Sequence, residues 1–252
     1  MPIPFGQLII DLSVFQGKVD FDALVKWVAP DGRKIVGVIT RCTNGDAVDT
    51  RFAENRAGAK AHGLYFGAYG VIYTAGDVVK QAKAYVNAIG HFDDNDLPPV
   101  MDWEVHGGGQ EHDDAVKWVD IVEAGLARRV TIYTGPGFIA SVKFPLNSPL
   151  VQRDLWVAHY TSAPHPAIPK PWTRWAMWQY AGDGSGGFPG IKGDVDKDVF
   201  NDDTDGDGTP GTLDDLKAFI MKSMIVSVKE IAPGKDSIIP DLRDALIATG
   251  DK

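Results

Sequence analysis

The chain has 252 residues, 44% of them hydrophobic and 23% charged, enough for one sizeable core or two small ones and too apolar for a disordered or fibrous protein. Its net charge of −9 argues against a nucleic-acid backbone or an anionic membrane as partner, and its one cysteine, Cys42, excludes an internal disulfide and a cysteine-built zinc site. No run approaches 18 apolar residues, and the start, Met1-Pro-Ile-Pro-Phe-Gly, has no basic n-region, so a soluble chain without a secretion leader is expected.

Apolar runs at 8–10, 35–39, 64–72, 99–103 and 130–133 read as buried parallel strands. Amphipathic patterns lie between them, over 20–28, 50–62, 77–89 and 113–127. In the first, Phe21, Leu24, Val25 and Val28 share a face behind Asp20 as N-cap. Strands alternating with helices predict an α/β fold of βαβ units closing, or nearly closing, into a barrel. After Thr134 the helical signal fades. Runs at 155–160, 175–180 and 194–196, joined by Pro- and Gly-rich loops, bring the strands to eight.

Composition shifts after Asn201: residues 202–252 carry eleven acidic and six basic side chains, so a fifth of the chain holds more than half of the net charge. The division expected is a barrel over 1–201 and a short, mainly helical appendage over 202–252. The appendage has an apolar amphipathic stretch at 213–228, with Leu213, Leu216, Phe219, Ile220, Met224 and Val228, and a shorter helical pattern after Pro240. Fifty residues are marginal for independent folding, so this segment is expected to pack on the barrel or on a second copy in a homo-oligomer.

In parallel barrels the chemistry sits where strands end, which directs attention to acids that close apolar runs. Asp11, Asp102, Glu104 and Asp196 qualify. Asp102 and Glu104, two residues apart on an extended strand, share a face with Cα atoms roughly 6.6 Å apart, while Trp103 points the other way. Crowded carboxylates in a partly closed pocket cannot all ionise, so one should keep a proton near neutrality and serve as a general acid. Aromatic residues gather around the same loops, among them Phe15, Tyr69, Tyr73, Tyr133, Trp156, Tyr160 and Trp178, and acids with aromatics suit a carbohydrate. For Trp103, Trp156 and Trp175 a place in the core is the favoured reading.

These residues fall in motifs. Ile10-Asp11-Leu12-Ser13-Val14-Phe15-Gln16-Gly17 resembles the Asp-x-Ser-x-x-Gln-Gly opening of glycoside hydrolase family 25 lysozymes. Ala61 to Tyr69, Val100-Met101-Asp102-Trp103-Glu104, Leu155 to Tyr160, Trp175 to Tyr180 and Val195-Asp196-Lys197-Asp198-Val199-Phe200 then follow in that family's order. The resemblance spans 8–201 and implies an irregular, TIM-like (β/α)5(β)3 barrel that cuts the β-1,4 bond between N-acetylmuramic acid and N-acetylglucosamine in peptidoglycan. It implies Glu104 as general acid and Asp102 as the group orienting the substrate's own acetamido oxygen. Asp11 and Asp196 would tune the acid and bind hydroxyls, and Tyr69, Tyr160, Trp178 and Gln179 would line the groove. Asp194 competes with Asp196 for the last-strand role, the Val-Asp-x-(Asp/Asn) match favouring Asp196. Where many members have Tyr-His-Phe the chain has Tyr69-Gly70-Val71, so one polar contact to the sugar is expected to be missing.

No cofactor is expected for catalysis, since His106, His159 and His165 have no partner at ligand spacing. Gly107-Gly108-Gly109 is expected to let the backbone run close to substrate, and Cys42 to be an inert buried thiol. Asp203-x-Asp205-x-Asp207-Gly208 with Asp214 matches a calcium loop position for position, against the alternative of an acidic solvated linker. The expected partner is bacterial peptidoglycan and the setting a phage endolysin, made in the host cytoplasm and acting on the wall after release, or an extracellular enzyme. A non-catalytic carbohydrate-binding barrel is the alternative; it could keep the aromatics and lose the acids.

Overall fold

Residues 5–107, 110–142, 144–182, 184, 186–200 and 211–224 are described by a computed structural model. The eight expected strands are present, with one extra short one. They run β1 (Gln7–Leu12), β2 (Ile35–Asn44), β3 (Ala47–Val48), β4 (Tyr65–Val71), β5 (Pro99–Asp102), β6 (Thr131–Thr134), β7 (Leu155–Ala158), β8 (Met177–Ala181) and β9 (Asp196–Phe200). The helices are α1 (Phe21–Leu24), α2 (Phe52–Ala61), α3 (Val78–Ile89), α4 (Glu111–Leu126), α5 (Pro136–Ser141) and α6 (Leu213–Lys222).

The sheet closes because β1 pairs with β2 on one side and β9 on the other. All barrel pairings are parallel except those of β9, which runs antiparallel to both β1 and β8; β3 is a hairpin partner of β2. Helices follow the first five barrel strands and, among the described residues, none separates the last three, which is the (β/α)5(β)3 order.

The period of two along each strand sorts side chains into two cores. Ile10, Val38, Phe66, Met101, Trp103, Ile132, Val157, Trp178 and Val199 face outward and pack with Leu24, Phe52, Tyr85, Val86, Trp118 and Val122 of the helices. Ile9, Ile39, Val100, Tyr133, Trp156, Met177 and Phe200 face into the lumen. Trp103, Trp156 and Trp175 are all buried, as expected. Cys42 is buried too, and burial pushes its thiol pKa far up, so it stays protonated.

α6 belongs to the lumen. Leu216, Phe219 and Ile220 join its apolar cluster, with the Phe219 ring centroid 5.2 Å from that of Phe200. Thr212 starts the helix with a capping box to Asp215. Its end is fastened by Arg129 N–H to Ser223 O at 2.7 Å and by the buried Arg128, which donates to the Asp96 and Asp93 carbonyls and to Ser223 Oγ. Leu216, Phe219 and Ile220 of the apolar stripe therefore find their cover on the barrel of the same chain, Leu213 stays exposed, and Val228 lies outside the described residues. The second expected helical pattern, after Pro240, lies outside the described residues.

Several boundaries differ from expectation: α5 forms where the helical signal fades, and α6 ends at Lys222. The helix expected over 20–28 shortens to the single turn of α1, because Pro30 disfavours helical backbone at Ala29 and only Phe21 and Leu24 reach the core. The last strand begins at Asp196 rather than 194, because the Asp194 carboxylate accepts the Gly184 and Gly186 N–H groups and holds that stretch as a loop.

Candidate active site

At the mouth where the parallel strands end, a cavity of about 580 Å³ opens. Asp11 closes β1, Asp102 closes β5, Glu104 stands two residues beyond it, and Asp196 opens the antiparallel β9 directly across from Asp11. All four acids line this cavity. Asp11 and Asp102 are 6% and 7% exposed, while Glu104 stands in the opening.

Local structure explains the opening motif. The Ser13 side chain accepts Phe15 N–H, Gln16 Oε1 accepts Ser13 N–H at 2.8 Å, and Gln16 Nε2 donates to Asp194 O at 3.0 Å. Gly17 takes φ +64°, which favours glycine. The motif thus places Asp11 and ties the first strand's exit to the loop before β9. Val14 N–H and Arg41 Nε both donate to Asp49 Oδ2, so a buried Arg41–Asp49 pair fixes the cavity wall on the neighbouring β2. The Arg41 guanidinium lies 5.1 Å from the centroid of Phe15, an 81% exposed aromatic at the rim.

Gln179 organises the floor. Its Nε2 donates to Asp11 Oδ2 at 2.8 Å, and its Oε1 accepts Tyr133 Oη–H at 2.9 Å and Tyr160 Oη–H at 2.6 Å. Burial raises the pKa of both tyrosines, so they remain donors. Tyr69 is a cavity residue held protonated in the same way.

Among the acids, Asp11 is pushed well up, first by burial and then by the charge of Asp196; Asp102 is pushed up by burial and then by Glu104. Glu104 is raised by desolvation from the cavity walls. Crowding and burial thus favour the protonated form of each, and Glu104, the one in the opening, is placed to deliver a proton.

The structure corrects several expectations. Trp178 does not line the groove: on β8 it alternates with Gln179, points into the helix layer with 2% exposure, and donates Nε1–H to His159 O. Tyr160 is at the rim, 56% exposed, and reaches the floor only through its hydroxyl. Position 70 also faces outward. A Cβ on Gly70 would meet Tyr85, Thr43 and Trp118 at 2.8–3.2 Å, so its glycine removes no sugar contact. Gly107 lies against Thr74 and Ala75 with no room for a Cβ, so its glycine serves loop packing rather than substrate; Gly108 and Gly109 lie outside the described residues.

Asp203, Asp205 and Asp207 of the expected calcium loop also lie outside them. Asp214 is exposed in the first turn of α6, where its carboxylate accepts from Lys217 Nζ at 2.8 Å. Among the described residues no group of three or more His, Cys, Asp or Glu is arranged to hold a metal.

Three site residues escaped the sequence reading. Asp198 on β9 is fully buried beneath Asp11, and Trp156 Nε1 donates to its Oδ1 at 3.0 Å. It shares a strand face with Asp196, the alternation that paired Asp102 with Glu104, so that signal was available. Arg41 could have been found likewise, two residues after Ile39. Gly182 carried no signal: a Cβ there would run into Tyr160 Oη, and that crowding exists only in three dimensions.

Paired acids at the mouth of a closed barrel, beside aromatic and amide groups, are the equipment of a glycoside hydrolase. The profile of glycosyl hydrolases family 25 matches residues 10–191, and the chain belongs to that family. The bacterial lysozyme from Streptomyces coelicolor superposes with a TM-score of 0.72 at 24% identity, over 86% of this chain and 98% of that one. The CTP1L endolysin gives 0.63 at 29% identity, over 78% and 67%. The spore cortex lytic enzyme SleM of Clostridium perfringens gives 0.66 at 26%, over 82% and 70%. Among curated proteins no sequence matches the chain.

Proposed function

We propose that this glycoside hydrolase is a peptidoglycan muramidase that cuts the β-1,4 bond after N-acetylmuramic acid with retention of configuration. The observation that carries the reading is the pair at the end of β5: Asp102 buried at the strand end and Glu104 two residues beyond it in the opening of the same cavity, with Asp11 on β1 and Asp196 on β9. Glu104 gives its proton to the glycosidic oxygen as the bond to the anomeric carbon breaks. The acetamido carbonyl oxygen of the muramic acid residue forms the new bond to that carbon, and Asp102 accepts from the acetamido N–H and balances the charge that develops. Water then attacks the same carbon, the bond to the acetamido oxygen breaks and the acetamide is restored, and the water's proton passes to Glu104, which restores the acid.

Asp11 and Asp196 contribute negative charge that keeps a proton in the cluster, and Gln179, Tyr69 and Tyr160 supply donors and surface for sugar hydroxyls. A role in wall lysis fits the likeness to an endolysin and a spore cortex lytic enzyme. The test is product analysis: digestion of purified cell walls, borohydride reduction and mass spectrometry should yield reduced N-acetylmuramic acid ends. Reduced N-acetylglucosamine ends, or new peptide amines without new reducing ends, would discard the assignment.

A further inference from the structure

We propose that Asp198 is a positioning residue of this site, a neutral carboxylic acid that donates a hydrogen bond to the back of Asp11 and fixes that carboxylate toward the cavity. The proposal rests on the reading of Asp11 as a substrate-facing group.

Geometry carries the argument. β9 runs antiparallel to β1, with Asp196 opposite Asp11 and Asp198 opposite Ile9, so Asp198 lies one layer deeper in the lumen than the acids of the mouth. It is 0% exposed, and its other neighbour in register is Gln179 on β8. Its Oδ1 is occupied by the Trp156 indole N–H. Its Oδ2 is buried and accepts no hydrogen bond. Asp11 lies one diagonal step away on the same inward face of the paired strands β1 and β9, an acceptor that a second carboxylate would repel and a carboxylic acid would satisfy.

A proton on Asp198 completes both groups. Asp198 then accepts at one oxygen and donates from the other. Asp11 receives N–H from Gln179 on Oδ2 and O–H from Asp198, and keeps acceptor capacity for the cavity.

The choice of Asp198 as proton holder follows from its surroundings. Asp11 and Asp196 stand above it with their negative charge, and Ile9 opposite it and Phe200 two residues along its strand surround it with hydrocarbon. Arg41, a cation of the cavity wall on the neighbouring β2, is paired with Asp49. Burial drives the pKa of Asp198 well above the ordinary carboxylate range, with Asp11 and Asp196 adding to the effect. Asp11 is raised as well, yet it opens to the cavity and receives the amide donor, so the shared proton belongs on the deeper group.

The experiment compares Asp198→Asn with Asp198→Ala, using pH profiles of kcat and KM on solubilised glycan strands of peptidoglycan. Asparagine keeps both features of the neutral acid, an acceptor for Trp156 and a donor for Asp11; alanine keeps neither. Losing a hydrogen bond to a charged group corresponds to about 10–100-fold. Asp198→Ala should lose that much in kcat with little change in KM, and its acid limb should move to higher pH, since a carboxylate that loses a donor holds its proton longer. Asp198→Asn should restore both.

An Asp198→Asn enzyme whose acid limb moves to lower pH would overturn the proposal even if the alanine variant does not fold, because that is the effect of deleting a nearby negative charge. An Asn variant as slow as the Ala variant would overturn it too. Asp11→Asn, run beside them, isolates the underlying reading: full activity there removes Asp11 from the site and the proposal with it. An inactive Asp11→Asn enzyme with either failure at 198 overturns the proposal alone.

Discussion

The lumen of this barrel is two environments built on the same strands. At the lower level stand Ile9, Ile39, Val100, Met177 and Phe200, closed from beneath by Leu216, Phe219 and Ile220 of α6. Two residues up each strand the same inward-facing rows present Asp11, Arg41, Asp102 and Gln179, with Asp198 at the boundary, opposite Ile9. The step is one pleat period, roughly 6.6 Å, and across it the lumen passes from hydrocarbon to a crowd of carboxyls. Each buried side chain of the lower plug is worth about 1.5–3 kcal/mol. The upper acids oppose folding near neutrality, because Asp11, Asp102 and Asp198 are raised by burial and by one another. The lower level supplies stability that the upper level consumes. Changes at one level should therefore move activity without loss of stability, and changes at the other the reverse.

The largest effect is expected at Glu104. Glu104→Gln is nearly isosteric and cannot give a proton, so wall lysis should fall by about 10²–10⁴-fold, with no fall in melting temperature. Activity within about tenfold of wild type would remove Glu104 from its role. The mirror experiment is Phe219→Ala, which empties a ring-sized volume under Phe200 and should lower stability by about 3–5 kcal/mol in denaturant unfolding. Its folded fraction should turn over at the wild-type rate. A loss of kcat beyond the loss of folded enzyme would show that the two levels are coupled.

Much of this division was legible in the sequence. The apolar runs and their terminal acids located the strands, the barrel and the four carboxylates, because period two and strand-end position are local properties of the chain. What stayed illegible depends on which face a residue takes or on what lies across space. Trp178 looked like groove and is core, since a strand buried on both faces has no polarity pattern to assign its faces. Asp194 and Asp196 differ by one pleat, and only the backbone donors of Gly184 and Gly186 identify Asp194 as a loop anchor. The plug was legible as an apolar stripe; its destination inside the barrel was not.

A smaller effect should follow from Gly182→Ala. The added Cβ would collide with Tyr160 Oη and come within 3.0 Å of Asp196 Oδ1, so the Tyr160–Gln179 bond must break or shift. Overpacking of this kind costs about 1–3 kcal/mol. Because it falls on a rim residue, it should appear mainly as a higher KM. An unchanged KM would mean that Tyr160 does not touch substrate.

The pH dependence of stability sharpens the same contrast. Carboxyls raised in the folded state make it bind more protons than the unfolded chain above the ordinary carboxylate value of about 4, so their contribution to stability declines as pH rises through that window. Asp102→Asn removes one such group, and its melting temperature relative to wild type should rise as the pH climbs above about 4. A difference that shrinks over that range would mean that Asp102 is a stabilised anion.

The smallest effect is expected at Asp214, exposed in the first turn of the plug helix. Its carboxylate is exposed and engaged by Lys217 one turn on, an arrangement that solvent and salt screen heavily. The beginning of α6 is already fixed by the Thr212–Asp215 capping box, and its far end by Arg128 and by Arg129 N–H. Nothing in that fastening needs a metal ion. Asp214→Asn should therefore shift the melting temperature by under about 2 °C, and EDTA should leave the wild type unchanged. A drop of several degrees on adding EDTA, absent in Asp214→Asn, would instead make Asp203, Asp205, Asp207 and Asp214 a calcium site that secures the plug.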